Sequence, residues 1–260
     1  MKKATFITGA SSGLGRELAL LYAKDNNNLV LVGTNTNNLN KTKEECLGIN
    51  SNIEVFLLNI DLSLDTNLYL AYNYIKENGL FINNLVNCAG FGDQKKLSEM
   101  DINIQLKMTE VNCNAPLFFM RVFLDDMIKY NEGHIINVAS IAGLYPGPYM
   151  STYHATKAYL ISLSNAICYE VRKTNIKILT LCPGPFNSGF VAKAHNDYTF
   201  KKIKPIDANK VAEIAYLKSK KGKKFYIIGA KNRLTYFASR FVSRKMLVSS
   251  SAKLLAKNRD

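Results

Sequence analysis

The sequence predicts an α/β fold: a doubly wound parallel sheet of about seven strands with helices on both faces. Three observations predict it. Short β-like runs alternate with longer segments of helical spacing through residues 1–230. Several of these runs are continuously apolar, as strands covered on both faces are. A glycine-rich turn from Gly9 to Gly15 joins the first strand to the first helix, where such sheets bind phosphate groups.

The strands read as Thr5–Thr8, Leu29–Gly33, Ile53–Asn59, Asn84–Asn87, Gly133–Ala139, Lys177–Cys182 and Lys224–Ile228. The segments between them have helical length. Leu14–Lys24, for example, sets Leu14, Leu18 and Leu21 on one face. No internal repeat or Gly/Ser-rich linker interrupts the pattern, so residues 1–230 read as one domain and 231–260 as a basic, helical C-terminal extension. Pro183–Pro205 reads as a long loop, with a lid as its usual role.

The 260 residues, 47% apolar and 21% charged, have a normal globular balance. The net charge of +14 is concentrated after Lys193, at Lys201, Lys202, Lys204, Lys218, Lys220, Lys221, Lys223 and Lys224 among others. A general surface property is the favoured reading of that charge; no nucleic-acid motif accompanies it. Cys46, Cys88, Cys113, Cys168 and Cys182 are scattered, mostly in apolar runs and without CxxC spacing. They point to a reducing, cytoplasmic setting and to no metal site. Neither a signal peptide nor a transmembrane run is expected.

The turn Thr8-Gly9-Ala10-Ser11-Ser12-Gly13-Leu14-Gly15 has GxxxGxG spacing and suits a dinucleotide pyrophosphate at the first helix N-terminus. At the end of strand two an acid would hold the ribose 2′-OH of NAD. The chain instead reads Gly33-Thr34-Asn35, and Ser12, Thr34 and Asn35 offer donors for a 2′-phosphate. NADP is therefore the expected cofactor and NAD the alternative. No obvious arginine for the phosphate is present, although Arg16 follows the last glycine. Asp61, after strand three, either holds the adenine amino group or caps the next segment. Asn87-Cys88-Ala89-Gly90 ends strand four at the sheet edge where ligands bind, and reads equally as a strand-ending turn.

Tyr153 and Lys157 stand four apart on one helix face, with Ser140 at the end of the fifth strand. A phenol has an ordinary pKa of about 10, which a neighbouring ammonium lowers. Such a phenol exchanges a proton with a carbonyl or alcohol, and Ser140 hydrogen-bonds the same oxygen. A Tyr–Lys pair alone is commonly a solvated helix face; the glycine turn and the strand-end motifs give this one its meaning.

In Thr8–Gly15, Asn87-Cys88-Ala89-Gly90, Ser140, Tyr153-His154-Ala155-Thr156-Lys157 and Pro183-Gly184, the chain resembles the single-domain short-chain dehydrogenase/reductase family over roughly residues 1–230. The resemblance implies a Rossmann-type fold and hydride transfer between a nicotinamide cofactor and a carbonyl or secondary alcohol. It implies Tyr153 as general acid/base and Lys157 as the group that lowers its pKa and binds the nicotinamide ribose. It also implies a catalytic role for Asn112, which anchors a relay water in the family, and a homo-oligomer, dimer or tetramer. Pro183 and Gly184 are expected beside the nicotinamide. Cys88 departs from the usual Asn-Asn-Ala-Gly. Ser188 stands at best for the usual threonine after Pro-Gly, which puts that contact in doubt.

Phe91, Leu144, Tyr145, Tyr149, Phe186 and Phe190 flank the motifs as pocket candidates or as packing aromatics. Residues 232–260 read as one or two basic amphipathic helices that pack on the domain or on a second subunit, with an anionic membrane as the other partner. A non-catalytic dinucleotide-sensing scaffold and a membrane-peripheral reductase of lipid-derived ketones are the alternative functions.

Overall fold

The computed structural model describes residues 1–187 and 205–256. Strands β1 (Lys2–Thr8), β2 (Asn28–Gly33), β3 (Val55–Asn59), β4 (Leu80–Asn87), β5 (Gly133–Val138) and β6 (Ile176–Cys182) form the sheet with the later strand β9 (Phe225–Ile227). The order is β3-β2-β1-β4-β5-β6-β9 and every neighbouring pair is parallel. This is the Rossmann-type, doubly wound arrangement. The direction of winding reverses between β1 and β4, which opens a crevice at their carboxyl ends.

Helices α1 (Gly13–Lys24), α2 (Thr36–Ile49) and α7 (Ala208–Lys220) share one face of the sheet. Helices α3 (Asp65–Glu77), α5 (Ala115–Tyr130) and α6 (Ser151–Glu170) share the other. Successive strand residues feed opposite cores: Phe6, Val30, Ile135 and Ile178 enter one, and Ile7, Leu29, Ile136 and Leu179 the other. Period-two geometry with both faces buried explains why these strands read as continuous apolar runs.

Strand β4 begins at Leu80, earlier than the sequence pattern indicates. Leu80–Ile82 pairs with Lys2–Ala4, and the register shifts between Ala4 and Thr5. The polar pair Asn83-Asn84 conceals this continuity in the sequence. A second, two-stranded sheet joins β7 (Phe186–Asn187), within the segment expected to be a loop, to β8 (Ile206–Asp207), which directly follows that segment. Ser188 and Phe190, and the rest of that segment through Lys204, lie outside the described residues.

The C-terminal extension is two helices, α8 (Ala230–Ser239) and α9 (Arg244–Leu255). Tyr236 of α8 packs against Phe225 at 6.1 Å between ring centroids. Leu255 of α9 is buried, and Gln94 Nε2 donates to its carbonyl at 2.7 Å. Among the described residues no helix is long and apolar enough to cross a membrane.

Candidate active site

A cleft of about 760 Å³ lies along the carboxyl ends of the strands at the β1/β4 crevice. Its lining includes Gly9, Ser11, Ser12, Gly13, Leu14 and Gly15 at one wall, Thr34 and Asp61 beyond them, and Ala89, Gly90, Ser140, Tyr153, Lys157, Pro183 and Gly184 across the floor. Residues that are far apart in sequence thus meet in one groove.

The glycine turn is held by sterics. Gly9 has φ +71°, and a Cβ on Gly15 would stand 2.3 Å from the Gly9 carbonyl oxygen. That contact brings α1 onto the turn and aims its first N–H groups into the cleft. Ser12 precedes α1 without a side-chain capping bond, and no acid occupies the first helical turn. This is an arrangement into which a pyrophosphate fits. Thr8 locks the turn to β4, since its Oγ1 accepts from Cys88 N and Ala89 N, both at 3.0 Å.

At the adenosine end Thr34 lines the cleft, whereas Asn35 does not. Asn35 instead caps α2, accepting from Asn38 N at 2.9 Å. Asp61 lines the cleft while pairing with Lys107 at 2.7 Å and accepting from the backbone and hydroxyl of Ser63. Burial raises its pKa, but Lys107 and Ser63 outweigh burial and hold the carboxyl below the ordinary range. Arg16 is engaged by Glu45 at 2.6 Å and by Glu17, and does not line the cleft.

Asn87 is also absent from the lining. Its Nδ2 donates to Asn137 Oδ1 at 2.8 Å, and Asn137 Nδ2 donates to Ser164 Oγ at 2.8 Å, joining β4 and β5 to α6 under the sheet edge. Asn87 therefore supports the floor rather than facing the groove.

Ser140 stands two residues after β5 and accepts from Ala142 N at 3.1 Å, which starts the turn of Ile141–Leu144. Tyr153 stands in the first turn of α6 and lines the cleft with Ser140, whose hydroxyl is near enough to favour the phenolate. Lys157, one turn later and 5% exposed, donates to Val138 O at 3.0 Å; its Nζ lies 5.8 Å from the Tyr153 ring centre. Asn112 lies behind the cleft wall, fully buried, in the π-helical turn Glu110–Asn114 between α4 (Ile102–Thr109) and α5. It accepts from Phe91 N and donates to Phe91 O and Thr156 Oγ1, tying the β4 loop to α6. Such π-turns concentrate at functional sites.

The sequence predicts a lowered Tyr153 pKa; the structure reverses the sign. Burial pushes the phenol up to about 12, and the nearby Ser140 hydroxyl opposes burial only in part. Burial also brings Lys157 down to about 8. Desolvation acts on both groups and favours their neutral forms.

Of the pocket candidates, Phe91, Tyr145 and Phe186 line the cleft. Leu144 packs on the core instead, and Tyr149 contributes its backbone, accepting from Lys95 N at 2.8 Å with φ +66°. A bulky residue at positive φ is strained and is found where surrounding structure enforces it. The sequence pattern misses His154, Met150, Ser251, Leu254 and Leu255, all of which line the cleft. His154 follows Tyr153 in the helix, and its Nδ1 lies 2.9 Å from Tyr145 O. Gly147 abuts its ring so closely that a Cβ would fall 2.2 Å from Nε2. No local signal marks the α9 residues, because only the fold-back of the chain brings them there.

Comparison with known proteins places this geometry. A model of the short chain dehydrogenase family matches residues 3–199. Estradiol 17-beta-dehydrogenase 11 of Rattus norvegicus is 33% identical over 189 residues, 71% of this chain and 62% of that protein, so the chain spans less than two thirds of that relative. An uncharacterized oxidoreductase of Staphylococcus epidermidis is 27% identical over 183 residues, 70% of this chain and 77% of the relative. The solved short-chain dehydrogenase from Sphingobium yanoikuyae in complex with NADPH shares the fold, with a TM-score of 0.82 at 22% identity and 100% coverage of both chains. The family match runs from the glycine turn through the Tyr153–Lys157 helix, and the chain belongs to the short-chain dehydrogenase family, oxidoreductases acting on alcohol and carbonyl groups.

Proposed function

We propose that the protein is an NADP-dependent reductase of an apolar ketone or aldehyde, with Tyr153 as the proton donor. The observation that carries this reading is that Ser140, Tyr153 and Lys157 line the same cleft as the α1 glycine turn. When bound, the nicotinamide supplies the hydride. Tyr153, protonated near neutral pH because burial raises its pKa, gives its phenolic proton to the substrate oxygen. Ser140 Oγ donates a hydrogen bond to that oxygen. The Lys157 ammonium faces the phenolate that forms and offsets its charge, an electrostatic contribution that grows as the proton leaves. Asn112 positions the Phe91 backbone and α6 rather than touching the cleft.

The preference for NADP rests on Thr34, which lines the cleft where NAD-binding sites place an acid. Ile141, Tyr145, Met150, Leu254 and Leu255 make much of the lining apolar and support an apolar substrate. Cytoplasmic placement and a homo-oligomer belong to the same reading. The free state of all five cysteines supports the former, and sedimentation of the purified chain tests the latter.

Tyr153→Phe tests the reading. Ketone reduction is expected to fall roughly 10²–10⁴-fold while NADPH titration stays unchanged. Retained turnover in the variant rejects Tyr153 as the donor. NADPH binding by the native chain without turnover across a ketone panel favours a scaffold.

A further inference from the structure

Helix α8 is mounted the reverse of an ordinary surface helix. Asn232, Tyr236 and Ser239 form its half-buried side, and Asn232 Nδ2 donates to Ile228 O at 2.8 Å. Leu234 and Phe237 of α8, with Phe241 just after it, point outward and are 69%, 60% and 76% exposed. Phe237 and Phe241 touch edge to face at 5.4 Å, forming one aromatic ridge. Val242 and Met246 continue the exposed apolar surface onto α9. A helix that lies free in water carries its apolar stripe toward the core, so an outward stripe marks a surface with an occupant.

Charge identifies that occupant. Between Ile214 and Ala256 the chain has eleven basic and no acidic residues. Lys231, Arg233, Arg240, Arg244, Lys245 and Lys253 belong to the α8–α9 segment itself, and none pairs with a carboxylate among the described residues. Two such segments would repel one another, which disfavours a second copy of the chain. A nucleic acid would satisfy the cations but has no use for exposed Leu234, Val242 and Met246. An anionic bilayer satisfies both, because apolar side chains enter the acyl boundary and cations meet the headgroups.

We infer that the α8–α9 segment docks on an anionic phospholipid membrane, with the Phe237–Phe241 ridge inserted and the surrounding lysines and arginines at the headgroups. The same C-terminal segment also reaches the cleft, since Ser251, Leu254 and Leu255 of α9 form part of its wall.

The test is flotation of the full chain with vesicles of phosphatidylcholine plus phosphatidylserine, and with phosphatidylcholine alone. The native chain is expected to float with the anionic vesicles, less so at high salt. Phe237→Ser with Phe241→Ser is expected to weaken vesicle binding by about tenfold or more. Neutralising Lys231, Arg240, Arg244 and Lys245 to Gln is expected to remove the dependence on phosphatidylserine. Unchanged circular dichroism and NADPH titration verify that the variants fold, so the result is read apart from any turnover. The inference is overturned if the native chain stays with the soluble fraction, or if the Phe variant floats as well as the native chain. It is also overturned if the ridge instead mediates a concentration-dependent dimer in sedimentation.

Discussion

Gln94 Nε2 donates to the backbone carbonyl of Leu255 at 2.7 Å, a hydrogen bond that spans 161 positions of the chain. Both residues are buried, so this contact fastens the end of α9 to the loop after β4 and closes one side of the cleft. Gln94→Leu leaves the Leu255 carbonyl without this donor. Unfolding stability is expected to fall by about 1–3 kcal/mol. KM for bulky apolar ketones should rise with little change in kcat, because the change touches the wall and not Tyr153. Denaturant melts and steady-state kinetics check both expectations.

Gly90 is the point where three segments of the candidate site converge. A Cβ there would lie 2.9 Å from Asn112 Oδ1 and 3.2 Å from Lys157 Nζ. Asn112 is pinned by three hydrogen bonds and has little room to yield. Gly90→Ala is expected to cost about 1–3 kcal/mol of stability and at least tenfold in kcat. Thermal denaturation with single-turnover kinetics measures the two losses.

The pH dependence follows from burial. Lys157, brought down to about 8, is cationic below that pH and loses its charge above it. Tyr153, raised to about 12, keeps its proton across the working range. The kcat/KM for ketone reduction should therefore hold level up to about pH 8 and decline above it, without a tyrosine limb in the accessible range. The fold carries the opposite dependence. Between about 8 and the ordinary lysine value the unfolded chain binds more protons at this position, so the Lys157 contribution to stability improves as pH rises. Lys157→Met removes the buried charge and is expected to melt at an equal or higher temperature while losing turnover.

Thr34 offers a direct test of cofactor choice. Thr34→Asp places a carboxylate in the cleft at the end of β2. Repulsion should weaken NADPH by about tenfold or more, and a hydrogen bond to a ribose hydroxyl should preserve or improve NADH binding. Parallel fluorescence titrations with the two nucleotides give the ratio.

Much of the site is legible along the chain because its signals are local. The Gly9–Gly15 spacing encodes a tight strand-to-helix turn, and the four-residue interval from Tyr153 to Lys157 encodes one helix face. Ser140 is marked by the end of an apolar strand. Asn35 and Asn87 carry the right chemistry at the right sheet edge, yet one caps α2 and the other bonds Asn137. Side-chain direction at a strand end depends on neighbours that no local pattern names.

The sequence by itself determined the parallel sheet, the glycine turn and the order of the motifs, since hydrophobic periodicity and backbone sterics act over a few residues. Tertiary structure alone decided the sign of the Tyr153 shift, because desolvation depends on everything packed around the phenol. It alone put Asn112 behind Gly90, brought α9 to the cleft and turned Leu234, Phe237 and Phe241 outward. Burial and long-range contact are properties of the packed chain, and they decide which face of a segment meets solvent.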